Sequence, residues 1–344
     1  MLKAARLFTV RDIRVVEVGT PEPGPRQALI RVMASSICGT DLHYYRGDAI
    51  PAKLPITMGH EYSGVVEQVG EEVNNFRPGD KVYGSPVSPC GVCEYCKSGA
   101  YQLCTSRVGI GVHVDGCIAE YLLVPRADLT LQKIPDGVGF EEAALYGDLA
   151  STALHTVERA GVKPEWSVAV LGMGPIGILS ALISQKLGAK VVGVKMGSKK
   201  VEQAMNMGVQ TVVSMKSPNP VDKLLEISKG GFKAVLDTAS TPASITLAMK
   251  IVRRGGVAVV TALHPEKIPL NLIKLTMDEI TLKGALCPAG PESLKHVAET
   301  VKRLEIDLSK FITHRYTIEE SPQAFIDYDT KTGGMMKPIV TPAR

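Results

Sequence analysis

The sequence predicts an α/β protein in which a β-rich N-terminal region precedes a doubly wound parallel sheet. Residues 1 to about 145 contain short apolar runs separated by glycine and proline, such as ALIRVMA, SGVVEQVG and KVYGSPV, which are typical of a barrel-like or irregular sheet domain. From Ser167 onward, strand-like and helix-length segments alternate, as in SVAVLG, GPIGILSALISQKLGA and VVGVK. This alternation predicts βαβ units with right-handed crossovers.

The length and composition fit two domains of ordinary size. The chain has 344 residues, of which 45% are hydrophobic, and this exceeds the usual size of one compact domain. We expect a first domain over residues 1–149, a second over 150–286 and a C-terminal segment over 287–344. The alternating pattern weakens after about residue 286, so the pattern alone assigns this last segment to neither domain.

Charge and hydropathy argue against a nucleic-acid or membrane partner. The formal net charge is +4 beside 39 basic and 35 acidic side chains, and no run of five lysines or arginines occurs. Charges interrupt the apolar stretches of the N-terminus, and no segment reaches the roughly 18 apolar residues of a membrane span. Seven cysteines, an odd number, favour metal ligation or catalysis over a disulfide framework. We therefore expect a cytoplasmic protein.

A glycine-rich motif follows the first strand of the alternating region. Residues 172–177 read GMGPIG, a complete G-x-G-x-x-G between a strand and a helix. In such a motif Gly172 permits the tight turn, Gly174 lets the backbone approach a pyrophosphate and Gly177 lets the helix pack on the strand. A glycine-rich turn without a ligand is the alternative, and the flanking βαβ pattern favours a dinucleotide site. Its candidate residues are Gly172, Gly174, Pro175, Ile176 and Gly177.

The end of the second strand favours NADP over NAD as the dinucleotide. An NAD site usually has Asp or Glu at this position to bind the ribose 2′-hydroxyl, whereas this chain has a lysine followed by small and basic residues. A 2′-phosphate would find cations and small donors here and no repelling carboxylate. The alternative is that these lysines are solvent-exposed side chains at the start of a helix and bind no ligand. The candidate residues are Lys195, Ser198, Lys199 and Lys200.

Four closely spaced cysteines predict a structural metal site. Cys90, Cys93, Cys96 and Cys104 form C-x2-C-x2-C-x7-C in a loop-like segment, and four thiolates can surround one tetrahedral Zn²⁺ without leaving an open position. An iron–sulfur cluster is disfavoured, because the last spacing is seven residues, no proline follows Cys104 and only one such run occurs. A disulfide would require an oxidising compartment.

A second, dispersed set of residues predicts a metal with an open position. Cys38, His60, Glu61 and Asp148 supply one sulfur, one imidazole and carboxylates, which is the donor set of a three-ligand zinc. Taken singly, each is more often a buried small residue or a satisfied polar group. An open zinc lowers the pKa of a bound hydroxyl so that hydride can leave at neutral pH, which is what the oxidation of an alcohol requires.

These motifs occur in the order found in a known family. The segment at 59–73 (GHEYSGVVEQVGEEV), the four-cysteine segment, CGTD at 38–41 and the glycine loop at 172–177 resemble the zinc-containing medium-chain alcohol and polyol dehydrogenases over essentially the whole chain. The resemblance implies a GroES-like catalytic domain, a Rossmann coenzyme domain, and a C-terminal segment that rejoins the catalytic domain. The substrate would then lie between the two domains.

The resemblance also implies roles for individual residues. Cys38 and His60 look like zinc ligands, Glu61 like a carboxylate that binds the metal or sits just behind it, and Asp148 like a ligand one methylene shorter than the glutamate of sorbitol-type members. Thr40 resembles the hydroxyl that takes the alcohol proton, and His43 the outer station of that relay, with a surface histidine as its alternative. Two zinc ions per chain are expected.

The substrate and the assembly are predicted only broadly. We favour a secondary hydroxyl on a polyol or sugar-like molecule, because Tyr44, Tyr45 and Arg46 follow the relay segment, although these side chains could equally serve surface packing. Family members usually form dimers or tetramers through the coenzyme domains, and ITLKGAL at 280–286 is the strand expected at that contact.

Two other functions compete with this prediction. A zinc-free quinone or enone reductase on the same fold would use NADPH without a Lewis acid, and the four cysteines and the GHE motif argue against it. A non-catalytic dinucleotide sensor, or a zinc ribbon that binds nucleic acid, would need a basic stripe near the cysteines, yet residues 90–104 contain only Lys97 as a positive charge.

Overall fold

The structure, a computed structural model, describes residues 1–196, 201–239, 241–263 and 267–342. The chain divides into two compact units. The first comprises Met1–Ser151, Cys287–Arg303 and Asp307–Arg344, and the second comprises Thr152–Leu286 and Leu304–Ile306. Mixed sheets in one unit and a parallel sheet in the other confirm the predicted α/β class.

The strands and helices are numbered in chain order. The strands are β1 Leu2–Thr9, β2 Asp12–Val18, β3 Ala28–Ser36, β4 Ile56–Thr57, β5 Glu61–Val69, β6 Lys81–Gly84, β7 Val87–Ser88, β8 Val108–Gly109, β9 Tyr121–Val124, β10 Leu131–Lys133, β11 Ser167–Leu171, β12 Lys190–Lys195, β13 Val212–Ser214, β14 Phe232–Asp237, β15 Val252–Val260, β16 Thr281–Gly284, β17 Ile312–Thr317 and β18 Lys337–Thr341. The helices are α1 Gly39–Arg46, α2 Glu94–Lys97, α3 Ala127–Thr130, α4 Phe140–Ala143, α5 Ser151–Ala160, α6 Pro175–Lys186, α7 Val201–Asn206, α8 Pro220–Ile227, α9 Pro242–Ile251, α10 Leu272–Met277, α11 Pro291–Arg303 and α12 Ser321–Thr330. A single π-helical turn spans Tyr146–Ala150.

The larger sheet of the first unit brings distant parts of the chain together. Among the described residues its order is β10-β6-β5-β3-β18-β17, with β9 also paired to β3. Ser36, at the end of β3, lies opposite Glu61 on one side and Ile339 of β18 on the other. The residues that follow β3, those that precede β5 and the start of β18 therefore meet at one corner of the sheet. A smaller sheet of order β2-β1-β4 belongs to the same unit.

The second unit contains the predicted doubly wound sheet. In the part of the chain that the structure describes, its strands run in the order β13-β12-β11-β14-β15-β16, and every neighbouring pair is parallel. Counted from β11, this is the order 3-2-1-4-5-6 of dinucleotide-binding sheets, which reverses direction between β11 and β14. Val168 to Leu171 of β11 are fully buried, as expected for a parallel strand covered on both faces. No described helix is long and apolar enough to cross a bilayer.

Candidate functional site

Cys38 lies just beyond β3, where the chain turns into α1. It occupies the position before the first helical residue with extended backbone angles (φ −95°, ψ 162°). Its backbone N–H donates to Asp41 Oδ2 over 2.8 Å, so Asp41 caps the helix from within its first turn. Cys38 is buried.

His60 is held by its neighbours on both sides. Gly59 has a positive φ of 92°, and a Cβ at this position would lie 2.6 Å from Ile118 Cγ1, so only glycine fits before the histidine. The Nδ1 atom of His60 lies 3.2 Å from Asp41 Oδ1, and both side chains are buried. The Asp41 carboxylate therefore lies on the Nδ1 side of the ring and leaves Nε2, which is 3.5 Å from Asp148 Oδ2, as the atom able to bind a metal.

Asp148 completes a group of three with Cys38 and His60. It lies in the π-helical turn, where Gly147 is required because a Cβ there would approach Gly84 O to 1.8 Å. Asp148 Oδ2 lies 3.3 Å from Cys38 Sγ and 3.5 Å from His60 Nε2. One ligand atom from each residue lies within 4.8 Å of the others, and all three residues are buried. A sulfur, a nitrogen and an oxygen so arranged match the three protein ligands of a catalytic zinc.

The electrostatics of this group indicate a place for a cation. Burial raises the pKa of the Cys38 thiol, and the Asp148 carboxylate beside it raises it further. Burial alone would lower the pKa of His60, but Asp41, Asp148 and Cys38 outweigh it and the pKa is well above its usual value. Burial opposes the charge of Asp148, yet His60 and Lys337 keep its pKa below the usual range. A divalent cation would neutralise the two acidic groups and satisfy the imidazole lone pair, so these residues fit zinc.

Glu61 lies next to His60 in sequence but is directed at a different partner. Its carboxylate pairs with the ammonium group of Lys337, and both side chains are almost fully buried. Lys337, the first residue of β18, also donates to Ile37 O over 3.1 Å. Burial raises the pKa of Glu61 while Lys337 lowers it. The structure thus does not bring Glu61 into the group of three.

The four predicted cysteines come together around α2. One sulfur from each of Cys90, Cys93, Cys96 and Cys104 lies within 4.8 Å of the others. The Cys90 and Cys96 sulfurs are 3.8 Å apart and those of Cys93 and Cys96 are 3.5 Å apart. A tetrahedral zinc with bonds of about 2.3 Å requires sulfurs about 3.8 Å apart. Hydrogen bonds from backbone N–H groups lower the pKa of Cys93 to about 6, which favours the thiolate that a metal requires.

The glycine loop has the geometry of a phosphate-binding turn. Gly172 has a φ of 91°, and a Cβ on Gly177 would lie 1.8 Å from Gly172 O, so neither position accepts a side chain. A Cβ on Gly174, by contrast, would meet nothing within 4 Å, which leaves room for a ligand to approach the backbone. Pro175 opens α6 and Ile176 follows it, so the free N–H groups of the helix start lie at this loop.

Only part of the predicted 2′-phosphate site can be located. Lys195 ends β12, is half-buried, and lies opposite Ser214 of β13. It therefore stands at the carboxyl end of the strand next to β11, where a dinucleotide ribose is bound in such sheets. Ser198, Lys199 and Lys200 lie outside the described residues.

Family models match both halves of the chain. Residues 24–136 match the alcohol dehydrogenase GroES-like domain, and residues 175–303 match the zinc-binding dehydrogenase model. The chain is 31% identical over 332 residues to a sorbitol dehydrogenase of Bacillus subtilis, covering 94% of this chain and 92% of the relative. It belongs to the zinc-containing medium-chain alcohol dehydrogenase family. Members of this family are oxidoreductases that act on CH–OH groups, and the zinc-free and non-catalytic alternatives are disfavoured.

Two further known proteins match this dehydrogenase over nearly its whole length. An L-threonine 3-dehydrogenase of Escherichia coli is 31% identical over 330 residues, covering 94% of this chain and 95% of the relative. A zinc-binding dehydrogenase from Sinorhizobium meliloti, whose structure was solved with NADP bound, is 30% identical with a TM-score of 0.89 and covers 99% of both chains. The GroES-like and Rossmann folds expected from the sequence are therefore confirmed.

The two predicted relay residues occupy different surroundings in α1 of this dehydrogenase. The Thr40 hydroxyl lies 3.9 Å from Cys38 Sγ, beside the group of three. The imidazole of His43 is partly exposed and its Nδ1 lies 3.1 Å from Asp48 Oδ2. Tyr45 is buried and Arg46 pairs with Asp329, so both serve packing against α12.

The sequence predicts no separate role for three side chains that lie at the site. Asp41 orients His60, Lys337 holds Glu61, and the Cys287 thiol hydrogen-bonds with the Asp148 carboxylate and lies 3.6 Å from Gly147 O. Asp41 could have been found, because it stands within the CGTD motif next to a ligand candidate. Lys337 and Cys287 follow no motif and reach the site only through the fold of the first unit.

Proposed function

We propose that this enzyme transfers a hydride between a secondary alcohol, of the polyol or sugar class, and NADP. The observation that carries the proposal is the buried group of Cys38, His60 and Asp148, whose ligand atoms lie within 4.8 Å of one another. These three residues would hold the catalytic zinc and leave one position open to the substrate. When bound, the zinc supplies the Lewis acidity that lowers the pKa of the substrate hydroxyl.

The remaining residues of the site act in proton transfer and in charge balance. Thr40, whose hydroxyl lies beside Cys38, takes the proton of the substrate alcohol, and His43, partly exposed, passes it outward. Glu61, whose charge is balanced by the ammonium group of Lys337, would stay outside the set of zinc ligands in this arrangement. Loss of the proton would leave the electron pair that expels hydride from the substrate carbon. The glycine loop would hold the dinucleotide, which would supply the hydride acceptor.

We assign a second zinc to Cys90, Cys93, Cys96 and Cys104. Its support is the sulfur spacing of 3.5 to 3.8 Å and four donors that leave no open position. This ion would be structural, and two zinc ions per chain are expected. A reducing, cytoplasmic location suits these ligands, because thiolates and not disulfides are required.

The preference for NADP rests on Lys195 and the basic residues that follow it in sequence. Turnover with NADP and NAD should be compared in the wild type, in Lys195→Asp and in Lys190→Asp, a control at the opposite end of the same strand. We expect the wild type to prefer NADP and only Lys195→Asp to shift the preference towards NAD, because a carboxylate repels a 2′-phosphate. A wild type that prefers NAD and is unaffected by Lys195→Asp contradicts the assignment.

The polyol preference is supported by Tyr44. This side chain is half-buried and lies four residues after Thr40 in α1, so both side chains are on the same face of the helix. A panel of polyols, aldoses, amino alcohols and simple secondary alcohols, followed by nicotinamide absorbance, tests the substrate class. We expect the highest kcat/KM with a polyol, and Tyr44→Phe should reduce it more for polyols than for simple alcohols. Equal loss for both would contradict the proposal.

We also propose a homodimer or homotetramer formed through the edge of the parallel sheet. Leu282 of β16 and Leu286 just beyond it are more than one third exposed, and Leu272, Ile273 and Met277 of the adjacent α10 are more than 60% exposed. Apolar side chains on a sheet edge need a covering surface. Light scattering should give a mass of two or four chains, and Leu282→Lys should reduce it, whereas a monomeric wild type contradicts the proposal.

A further inference from the structure

A cavity of about 310 Å³ lies in the first unit, bordered by β1, the end of β2 and the chain around β9. We call it the N-terminal cavity. None of its lining residues belongs to the catalytic group, the cysteine site or the glycine loop. Its walls are largely apolar and include Leu2, Ala4, Val18, Ala119 and Leu122. The volume lies at the lower end of the range of small-molecule sites.

One end of this cavity carries two cations that share a single carboxylate. Arg6 Nη2 donates to Pro55 O over 2.6 Å and lies 3.4 Å from Asp115 Oδ1, while Lys53 Nζ lies 3.0 Å from Asp115 Oδ2. Asp115 Oδ1 also accepts the Thr57 N–H over 2.8 Å. Two positive charges against one negative charge leave this end of the cavity with a net positive charge.

One hydrogen-bond donor of Arg6 has no partner among the described residues. Its Nε atom is buried and has no hydrogen-bond partner within the described residues, although a buried donor normally has one. An unmade hydrogen bond of a charged group costs more than that of a neutral group. Because Nε itself has almost no accessible surface, an anion in the cavity would meet the partly exposed guanidinium at its other atoms, where it would balance the excess positive charge of the cluster.

We propose that the N-terminal cavity binds a small monocarboxylate with an apolar body of about six to eight carbons. The carboxylate would accept from Arg6 and face Lys53, and the apolar body would lie against Leu2, Ala4, Val18 and Leu122. A single net positive charge suits a monoanion and not a phosphate dianion, and the apolar walls disfavour a sugar acid. The inference is independent of the catalytic proposal, because the two sites share no residue.

Calorimetric titration of the zinc-loaded enzyme with octanoate tests the proposal, with octanamide as the neutral ligand of matched shape. We expect saturable octanoate binding and affinity for octanamide at least about tenfold weaker, because charge-assisted hydrogen bonds are stronger than neutral ones. Arg6→Met should weaken octanoate binding about tenfold or more and Lys53→Met about threefold, since Lys53 is half exposed. The control Lys302→Met removes an exposed charge outside the cavity and should change nothing.

A second pair of measurements separates this cavity from the catalytic site. Octanoate should bind Cys38→Ser with unchanged affinity, because Cys38 does not line the cavity. The proposal is overturned if no binding occurs, if Cys38→Ser abolishes binding, or if Lys53→Met, whose exposed side chain can be removed without unfolding the unit, binds octanoate like the wild type.

Discussion

His60 is fixed by Asp41: Nδ1 of the imidazole lies 3.2 Å from the carboxylate oxygen Oδ1, and both side chains are buried. The same aspartate accepts the backbone N–H of Cys38 over 2.8 Å. One side chain thereby sets the direction of two of the three candidate zinc ligands. Asp41 lies in the first turn of α1, so the orientation of the ligands depends on how this helix begins.

Asp41→Ala should weaken zinc binding at the catalytic group by about 10- to 100-fold, the usual effect of removing a carboxylate behind a histidine ligand. Asp41→Asn should lose less, because its amide oxygen can still accept one of the two bonds. Zinc retention against a graded chelator measures both, with far-ultraviolet circular dichroism as the folding control. Equal zinc affinity in the wild type and Asp41→Ala would show that Asp41 does not orient His60.

Lys337→Met should lower the free energy of unfolding by about 3–5 kcal/mol, because it leaves the Glu61 carboxylate buried without its cation. The double variant Glu61→Gln, Lys337→Met should recover part of this loss, since no buried charge remains unpaired. Arg315→Met, which breaks the exposed pair with Glu141, is the control and should cost below about 1 kcal/mol. Urea unfolding provides the values, and a loss no greater for Lys337→Met than for Arg315→Met would refute the prediction.

Gly174→Ala and Gly177→Ala should affect different properties, dinucleotide affinity and stability respectively. An alanine Cβ at position 174 meets no atom of the protein within 4 Å, so stability should hold while dinucleotide affinity falls about tenfold. At position 177 the Cβ would lie 1.8 Å from Gly172 O, so stability should fall by about 1–3 kcal/mol. Dinucleotide fluorescence titration and thermal unfolding separate the two, and undiminished binding by Gly174→Ala would exclude a ligand at this turn.

Cys104→Ser should remove one zinc per chain and lower the free energy of unfolding by about 2 kcal/mol or more, because Cys104 is a fully buried member of the four-sulfur set. Below the unfolding transition the variant should still oxidise alcohols, since the catalytic group is separate. Elemental analysis gives the zinc content and calorimetry the stability. Unchanged zinc content would contradict a structural ion at this site.

The sequence predicts the fold class, which is confirmed, and most members of the candidate site. The glycine loop, the cysteine spacing and the alternation after Ser167 are local patterns, and each corresponds to a local structure in one unit. The motifs predict Cys38, His60, Glu61 and Asp148 as a set, and the fold brings all but Glu61 together.

What the sequence did not reveal depends on contacts between distant segments. The GHE motif places Glu61 beside His60 in sequence, but Glu61 is the first residue of β5 and Lys337 of β18 pairs with its carboxylate. Cys287 reaches Asp148 from beyond β16 in the same way. The pair of cations in the N-terminal cavity is likewise assembled from β1 and a loop near residue 53. No spacing along the chain encodes these contacts.

The most direct test of the catalytic zinc is the zinc content of Cys38→Ser, measured together with alcohol oxidation on protein purified without chelator. We predict two zinc ions per chain in the wild type, one in Cys38→Ser, and loss of nearly all NADP-dependent alcohol oxidation in the variant while its fold remains intact. A wild type with a single zinc, or a Cys38→Ser variant that keeps both its metal and its activity, would contradict a catalytic zinc held by Cys38, His60 and Asp148.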